Sequence, residues 1–219
     1  MNILTIGFTT EGKTDMRFLS NIIRKTFEDL AFNCNGQIEV YEPRHILIKE
    51  DTFVSSVVEA SKSNHWANVL CVHTDSDSRS DEFAFNYKIN PSLDQIAALD
   101  GDSCKNIVPI VPIQMTESWM LADTELLKRV IYTNKSNQDL QLPNRFRQIE
   151  LLDNPKQTIE NAIRIAFSEF PRRRKRIDIS ELYVPISQSI DLTILNNLSS
   201  YVKFKENARK ALRALNYLQ

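Results

Sequence analysis

The chain has 219 residues, of which 42% are hydrophobic and 25% charged, so it can bury a sizeable core without disulfides or a structural metal. Its 27 basic residues nearly balance its 28 acidic ones, which excludes binding of nucleic acid through overall charge and leaves that task to local patches. Three widely spaced cysteines are typical of reduced thiols. No apolar run approaches the ~20 residues of a membrane span and no signal peptide is evident, so we expect a cytoplasmic protein without membrane contact.

Strand and helix patterns alternate through the first half of the chain. Short apolar runs predict strands at residues 2–8, 37–41, 67–73 and 106–113. Helical spacing of apolar residues predicts helices at residues 13–30 and 51–63. The last predicted strand contains Pro109 and Pro112, which either place it near a sheet edge or make its pairing incomplete. This alternation predicts an α/β fold with a mostly parallel sheet flanked by helices.

The second half of the chain is predicted to be helical. Apolar spacing indicates helices at residues 117–132, 155–170 and 201–218. We therefore expect an α/β domain over residues 1–115, and a helical C-terminal extension over residues 116–219 that packs on it. Residues 78–95 are expected to form a long loop that serves as a lid or a partner contact. Its alternating Phe83, Phe85 and Tyr87 could stack bases, although such side chains more often pack a loop onto its domain.

The first predicted turn, GFTTEGKTD at residues 7–15, permits two interpretations. Residues 7–14 match the P-loop pattern of nucleotide-binding proteins, in which Lys13 would contact the terminal phosphates and Thr14 the magnesium ion. Asp75 would then position the magnesium ion from a later strand. Against this interpretation, Glu11 would lie close to the phosphates. The second interpretation takes Glu11 and Asp15 as two acids that could hold a metal ion, and the pattern alone leaves both open.

A second acidic loop, TDSDSR at residues 74–79, follows the third predicted strand. Because ligands of open α/β sheets collect at the carboxyl ends of parallel strands, we expect the acids of both loops to converge there, namely Glu11, Asp15, Asp75 and Asp77. Such a cluster needs a cation to neutralise it, and oxygen ligands suit Mg²⁺ or Mn²⁺. An Asp-Ser-Asp loop can also be a solvated turn, but its place directly after a buried strand favours a metal site.

These motifs and their order resemble a known family. Glu11-Gly12 with Asp15, followed by Asp75-x-Asp77, resembles the Toprim domain of topoisomerases, primases and the overcoming-lysogenisation-defect nucleases. More narrowly, the chain is similar to small bacterial Toprim-like proteins of unknown function, through an ESW motif at residues 117–119 and an NPK motif at residues 154–156. The motifs are short, but together they span nearly the whole chain.

The resemblance implies a metal-dependent nuclease that cleaves phosphodiester bonds with Mg²⁺ or Mn²⁺. By position, Glu11 would be a metal ligand or general base, Asp75 and Asp77 would be metal ligands, and Asp15 would support a second metal. Such nucleases often work with a separate ATPase in bacterial defence, including phage defence, or in toxin systems, so an ATPase partner is implied. The substrate could be DNA or RNA, and a homo-oligomer is possible.

Further candidates surround this cluster. Glu117 follows the fourth strand and is the next candidate metal ligand, although it could instead be an N-terminal helix acid after a capping Thr116. Lys156 would stabilise the charged transition state, although a lysine beside a proline is more often a surface residue. His73, two residues before Asp75, could reach the site, although we expect a backbone carbonyl to hold this strand-end histidine.

A basic run is the one strong local charge patch in the sequence. It is expected to contact nucleic-acid phosphates, or else to form a solvated loop, and it comprises Arg172, Arg173, Arg174, Lys175 and Arg176. Two functions compete with the nuclease: a P-loop nucleotide-binding enzyme, and a non-catalytic module that binds a partner.

Overall fold

The computed structural model describes residues 1–47, 50–169 and 177–218. Its strands are β1 (Asn2–Leu4), β2 (Ile6–Thr9), β3 (Ile38–Val40), β4 (Arg44–His45), β5 (Val69–His73) and β6 (Ile107–Ile110). A two-stranded sheet pairs β1 with β3, and a four-stranded sheet has the order β4-β2-β5-β6. All these pairs are parallel. The predicted α/β fold with a mostly parallel sheet flanked by helices, and with a helical C-terminal part, is confirmed.

Helices connect the strands and form the C-terminal half. In the first half they are α1 (Lys13–Ala31), α2 (Phe53–Ser63), α3 (Glu82–Ala84) and α4 (Asn90–Ala97), with a π-helical turn (Phe85–Ile89) joining the last two. In the second half they are α5 (Glu117–Met120), α6 (Thr124–Val130), α7 (Phe146–Ile149), α8 (Pro155–Ala166), α9 (Tyr183–Ser189), α10 (Leu192–Leu195) and α11 (Ser199–Ala214). None of the helices in the described ranges is long and apolar enough to span a membrane.

The sheet places β2 and β5 side by side in its centre. Gly7 pairs with Leu70 and Thr9 with Val72, so both strands end at nearly the same level. The strand β6 is at the edge, as its prolines predict. The carbonyls of Asn106 and Ile110 accept hydrogen bonds from β5, so these residues face that strand. Because successive residues of a strand face opposite edges, Pro109 faces the open edge, where its missing N–H costs no hydrogen bond to β5.

The C-terminal helices share the larger hydrophobic core with the sheet. Trp119 of α5 is fully buried and lies among Tyr201 and Phe204 of α11, with ring centroids 5.4 and 6.0 Å away. Its indole N–H donates a hydrogen bond of 2.8 Å to Ser200 Oγ. This packing fixes α5, and with it the acidic Glu117 two residues earlier in the same helix.

We expect Trp119→Ala to lower the free energy of unfolding by about 3–5 kcal/mol, because it opens a large cavity in this core. The measurement is urea denaturation followed by circular dichroism. Trp66→Ala is the matched control, since Trp66 is 36% exposed, and it should cost about 1 kcal/mol. Equal losses in the two variants would contradict the assigned packing.

Several sequence predictions of secondary structure differ from the structure. The single strand predicted at residues 2–8 is two strands, β1 and β2, which belong to different sheets. Residues 117–132 form two helices and not one, because the side chain of Asp123 accepts a hydrogen bond from Leu126 N and begins α6. The expected loop at residues 78–95 is instead largely helical from Glu82 onward. The last helix begins at Ser199 and ends at Ala214, earlier at both ends than the predicted range.

Candidate functional site

The candidate site lies at the carboxyl ends of β2 and β5 and beside the segment that follows β6. The turn at residues 10–12 carries Glu11, and the first turn of α1 carries Asp15. The loop after β5 carries Asp75 and Asp77, and Glu117 begins α5. These carboxylates are close enough to raise one another's pKa values, so the acids at the two strand ends lie in one region.

The centre of the site is formed by Asp15, His73 and Asp75. One ligand atom from each of these side chains lies within 4.8 Å of those of the other two. His73 is only 1% exposed, and its Nε2 lies 3.2 Å from Asp75 Oδ1 and 3.1 Å from Thr116 Oγ1. The expectation that a backbone carbonyl holds His73 is therefore wrong. Its Nδ1 is buried and has no hydrogen-bond partner in the described part of the chain.

Thr116 connects the segment after β6 to this centre. Its backbone N–H donates a hydrogen bond of 3.0 Å to Asp75 Oδ1, and its hydroxyl lies near both Asp75 and His73. Thr116 occupies the N-cap position of α5, and Glu117 is the acid of its first turn, as the alternative interpretation has it. The Thr116 side chain makes no capping hydrogen bond, however, since its hydroxyl faces the site. Together these contacts fix the orientation of the Asp75 carboxylate.

Glu11 is held by a threonine and a lysine at the open side of the site. Thr74 Oγ1 donates a hydrogen bond of 2.5 Å to Glu11 Oε1. Lys88 Nζ lies 3.1 Å from the same oxygen and 2.7 Å from Thr74 Oγ1. Lys88 belongs to the π-helical turn, an element that is frequent at functional sites. The sequence indicated no role for Lys88, because its segment was expected to be a loop.

Glu117 lies on the buried side of the site. It is 5% exposed, and Tyr183 Oη of α9 donates a hydrogen bond to its Oε1. The side chain of Thr14 in α1 lies near the Tyr183 hydroxyl and affects its pKa. Tyr183 thereby joins two of the elements that carry the acidic residues, a role that sequence spacing could not reveal.

Asp77 sits on a constrained loop. Its φ of 50° is in the left-handed region, which Asp and Asn tolerate better than most residues. Asp77 N donates to Gln114 O at 3.0 Å, and Ser76 Oγ accepts from Gln114 N at 2.8 Å. The acidic loop after β5 is therefore fixed against residues 112–114 and is not a freely solvated turn.

Burial and neighbouring negative charges raise the pKa values of Asp15 and Asp77. Burial raises the pKa of the Asp15 carboxyl, His73 opposes this, and the charges of Asp75 and Glu11 add to it. Burial likewise raises the pKa of Asp77, with Asp75 and Glu11 adding and Lys88 opposing. A bound cation would relieve this cost.

The pKa values of Glu117 and His73 are also raised. Burial raises the pKa of the Glu117 carboxyl, although the hydrogen bond from Tyr183 opposes the shift. Burial alone would lower the pKa of His73, but the hydrogen bond and charge of Asp75, with further acids nearby, raise it overall. The site without metal therefore tends to hold protons, which a divalent cation would displace.

We expect the free energy of unfolding of the metal-free protein to rise as the pH falls from about 8 to about 5. Ionised Asp15 and Glu117 destabilise the fold because their folded pKa values are raised, and protonation removes that cost. The raised pKa of His73 acts in the same direction. Protonated His73 stabilises the fold fully at pH values below its ordinary pKa of 6.5, and this stabilisation is lost as the pH rises through its pKa in the folded protein. Urea denaturation at successive pH values should show this rise as a higher midpoint at about pH 5 than at about pH 8.

The control for this pH dependence is the double variant Asp15→Asn with Glu117→Gln, which should flatten the rise. At pH below about 4 stability should fall again, because the pKa values of Asp139, Asp178 and Asp191 are lowered by hydrogen bonds to neighbouring Ser and Thr residues. Stability that falls steadily from pH 8 to pH 5 would contradict the buried acidic cluster.

The P-loop interpretation does not fit the geometry of residues 7–14. Gly7 lies inside β2, paired with Arg44 and Leu70, and only residues 10–12 separate that strand from α1. This turn is too short to wrap phosphates with its amides. A Cβ on Gly7 would lie 2.6 Å from Ile46 Cδ1, so a larger residue here would have to displace the end of that side chain.

The remaining predicted groups are Lys156 and the basic run. Lys156 is exposed in the first turn of α8, where its charge acts on Asp178. The basic run at residues 172–176 lies outside the residues that the structure describes.

Comparisons with known proteins give no further assignment. No family model, no curated protein and no solved structure matches this chain. The Toprim resemblance thus stays a prediction from the motifs, and function must be argued from the geometry of the site.

Proposed function

We propose that this chain is a metal-dependent nuclease that hydrolyses phosphodiester bonds of DNA or RNA. The observation that carries the proposal is the convergence of Asp15, His73 and Asp75, whose ligand atoms lie within 4.8 Å of one another. Glu11, Asp77 and Glu117 surround this centre, and burial and mutual repulsion raise the pKa values of Asp15, Asp77 and Glu117. Acids with perturbed pKa values beside specific charged partners in a cleft are candidates for a functional site.

The donor set fits a divalent cation. Asp15 and Asp75 supply carboxylate oxygens, which suit Mg²⁺ and Mn²⁺, and the imidazole nitrogen of His73 favours Mn²⁺ over Mg²⁺. Thr116 holds the Asp75 carboxylate through its backbone N–H. Such hydrogen bonds orient ligands before the metal arrives. When bound, the cation would neutralise charge on the phosphodiester and make a coordinated water more acidic.

The open side of the site carries the groups that would contact substrate and water. The side chain of Glu11 is 38% exposed and is oriented by Thr74, so it can accept a proton from an attacking water. Lys88 places an ammonium beside Glu11, where it can neutralise a phosphate oxygen that approaches the cluster. A separate ATPase partner and a role in phage defence are further proposals that depend on this activity.

The test is cleavage of single-stranded and duplex DNA and RNA in Mn²⁺, in Mg²⁺ and in EDTA. We expect cleavage to be fastest with Mn²⁺ and to stop in EDTA. Asp77→Asn should lower the rate by about 100-fold, and Asn keeps the left-handed backbone at this position. The matched control is Asp100→Asn, an exposed acid near the opposite end of the sheet.

The outcomes separate the competing functions. Cleavage that survives EDTA, or a wild-type rate in Asp77→Asn, would contradict the metal site. Binding of nucleic acid without cleavage under all conditions would support the non-catalytic module instead.

A further inference from the structure

A cavity of about 450 Å³ adjoins the acidic cluster. Glu11 and His73 line it and also belong to the cluster, so the cavity and the cluster share a boundary. The volume lies within the usual range for small-molecule pockets. A ligand that fills the cavity therefore has one end at the acids that would hold the metal.

The walls of the cavity combine apolar and polar side chains. Ile46, Phe53 and Val57 supply apolar surface, and Phe53 supplies an aromatic ring. Thr10 and Ser56 add hydroxyl groups to this surface. Such walls suit a flat, apolar group with hydrogen-bonding atoms along its edge.

Lys88 marks the boundary between the cavity and the cluster. Its Nζ lies 5.6 Å from the centroid of the Phe53 ring and 3.1 Å from Glu11 Oε1. A single ammonium thus faces an aromatic wall on one side and the acids on the other. A phosphate bound at this boundary would join a group in the cavity to the cluster, and Lys88 would neutralise part of its charge.

We infer that this cavity binds the nucleobase of the nucleotide whose phosphate is cleaved. The inference depends on the proposed nuclease activity and specifies its substrate. A base has the required flat face for Phe53 and a hydrogen-bonding edge for the hydroxyl of Ser56 and the carboxylate of Glu50, which also line the cavity. Because a base in a duplex is paired and stacked, it must leave the helix to enter, so the preferred substrate is single-stranded nucleic acid or a frayed strand end.

The test measures binding of the four nucleoside 5′-monophosphates and of ribose 5-phosphate, by calorimetry with and without Mn²⁺. We expect the best nucleotide to bind about ten-fold more tightly than ribose 5-phosphate, which lacks the base. Ser56→Trp should fill the cavity and remove this difference. Lys62→Trp is the matched control, because Lys62 is exposed on the same helix, and it should keep the difference.

Cleavage supplies the second measurement. Wild-type protein should cleave single strands at least about ten-fold faster than duplexes, and Ser56→Trp should lose most of its rate on single strands. The affinity of Ser56→Trp for Mn²⁺ alone should stay within about two-fold of wild type, since the metal ligands are untouched.

The results distinguish failure of the base pocket from failure of the proposed nuclease activity. Equal binding of nucleotides and ribose 5-phosphate, or unchanged nucleotide binding in Ser56→Trp, would overturn the base pocket even where the protein cleaves DNA or RNA. Absence of Mn²⁺ binding and of cleavage would overturn the nuclease. Nucleotide binding that Ser56→Trp abolishes would still support the pocket in that case.

Discussion

Asp75→Asn is expected to lower metal-dependent cleavage by about 1,000-fold, the largest effect of any single substitution in the site. Asp75 is the acid with the most contacts in the centre: Thr116 N donates to its Oδ1, and His73 Nε2 lies 3.2 Å away. An amide has nearly the same shape but lacks the charge that a divalent cation needs. The measurement is the initial cleavage rate over a range of Mn²⁺ concentrations.

Stability gives the control for this variant. Asp75→Asn removes one of the charges that repel Asp15 and Glu117, but also the carboxylate that pairs with His73, so urea denaturation must show that the metal-free variant is folded. Loss of cleavage in a folded variant then reports on the site and not on folding. Cleavage within about two-fold of wild type would show that Asp75 holds no required metal.

Lys88→Met is expected to lower cleavage by about 100-fold while Mn²⁺ binds as tightly as in wild type or more tightly. The ammonium of Lys88 pairs with Glu11, and its charge also acts on Asp77. Its removal leaves more negative charge for a cation to neutralise, but takes away the group that would meet the substrate phosphate. Cleavage rate and calorimetric Mn²⁺ affinity should therefore change independently.

Two further variants make this prediction specific. Lys88→Arg keeps the charge and should recover part of the rate, whereas Lys62→Met removes an exposed lysine from α2 and should change neither quantity. If Lys88→Met weakened Mn²⁺ binding and cleavage together, Lys88 would serve to hold the shape of the site and not to bind phosphate.

The acidic part of the site could be predicted from the strand ends, on the condition that the two strands are neighbours, which the structure shows. Glu11 and Asp75 each follow an apolar run, and adjacent parallel strands bring such positions together. His73 could not be assigned in the same way. A histidine at the end of a buried strand can face a carbonyl or a carboxylate, and that choice depends on Thr116, 43 residues later.

The contacts of Lys88 and Tyr183 with the acids could not be predicted from local sequence patterns, for different reasons. The π-helical turn that aims Lys88 at Glu11 follows a loop-like stretch of serines and acids, so its segment resembled a loop. Tyr183 meets Glu117 only through the packing of α9 against α1 and α5, across 66 residues of sequence. Tertiary packing decides such contacts, and a single sequence carries no local trace of them.

The secondary-structure differences have equally local causes. The apolar spacing of residues 117–132 is continuous, but Asp123 competes for a backbone N–H and starts a new helix. The two-residue strand Arg44–His45 is too short for an alternating pattern to indicate. The larger elements were predictable because their apolar faces are long.

Calorimetric titration of Mn²⁺ into metal-free, nucleotide-free protein is the most direct measurement of the carboxylate site. Wild type should bind Mn²⁺ and release protons, because Asp15 and His73 have raised pKa values, so the heat should depend on the ionisation enthalpy of the buffer. Asp15→Asn should lose this binding while it stays folded. A wild-type titration without binding heat in any buffer, or equal affinity in the variant, would contradict the proposed metal site.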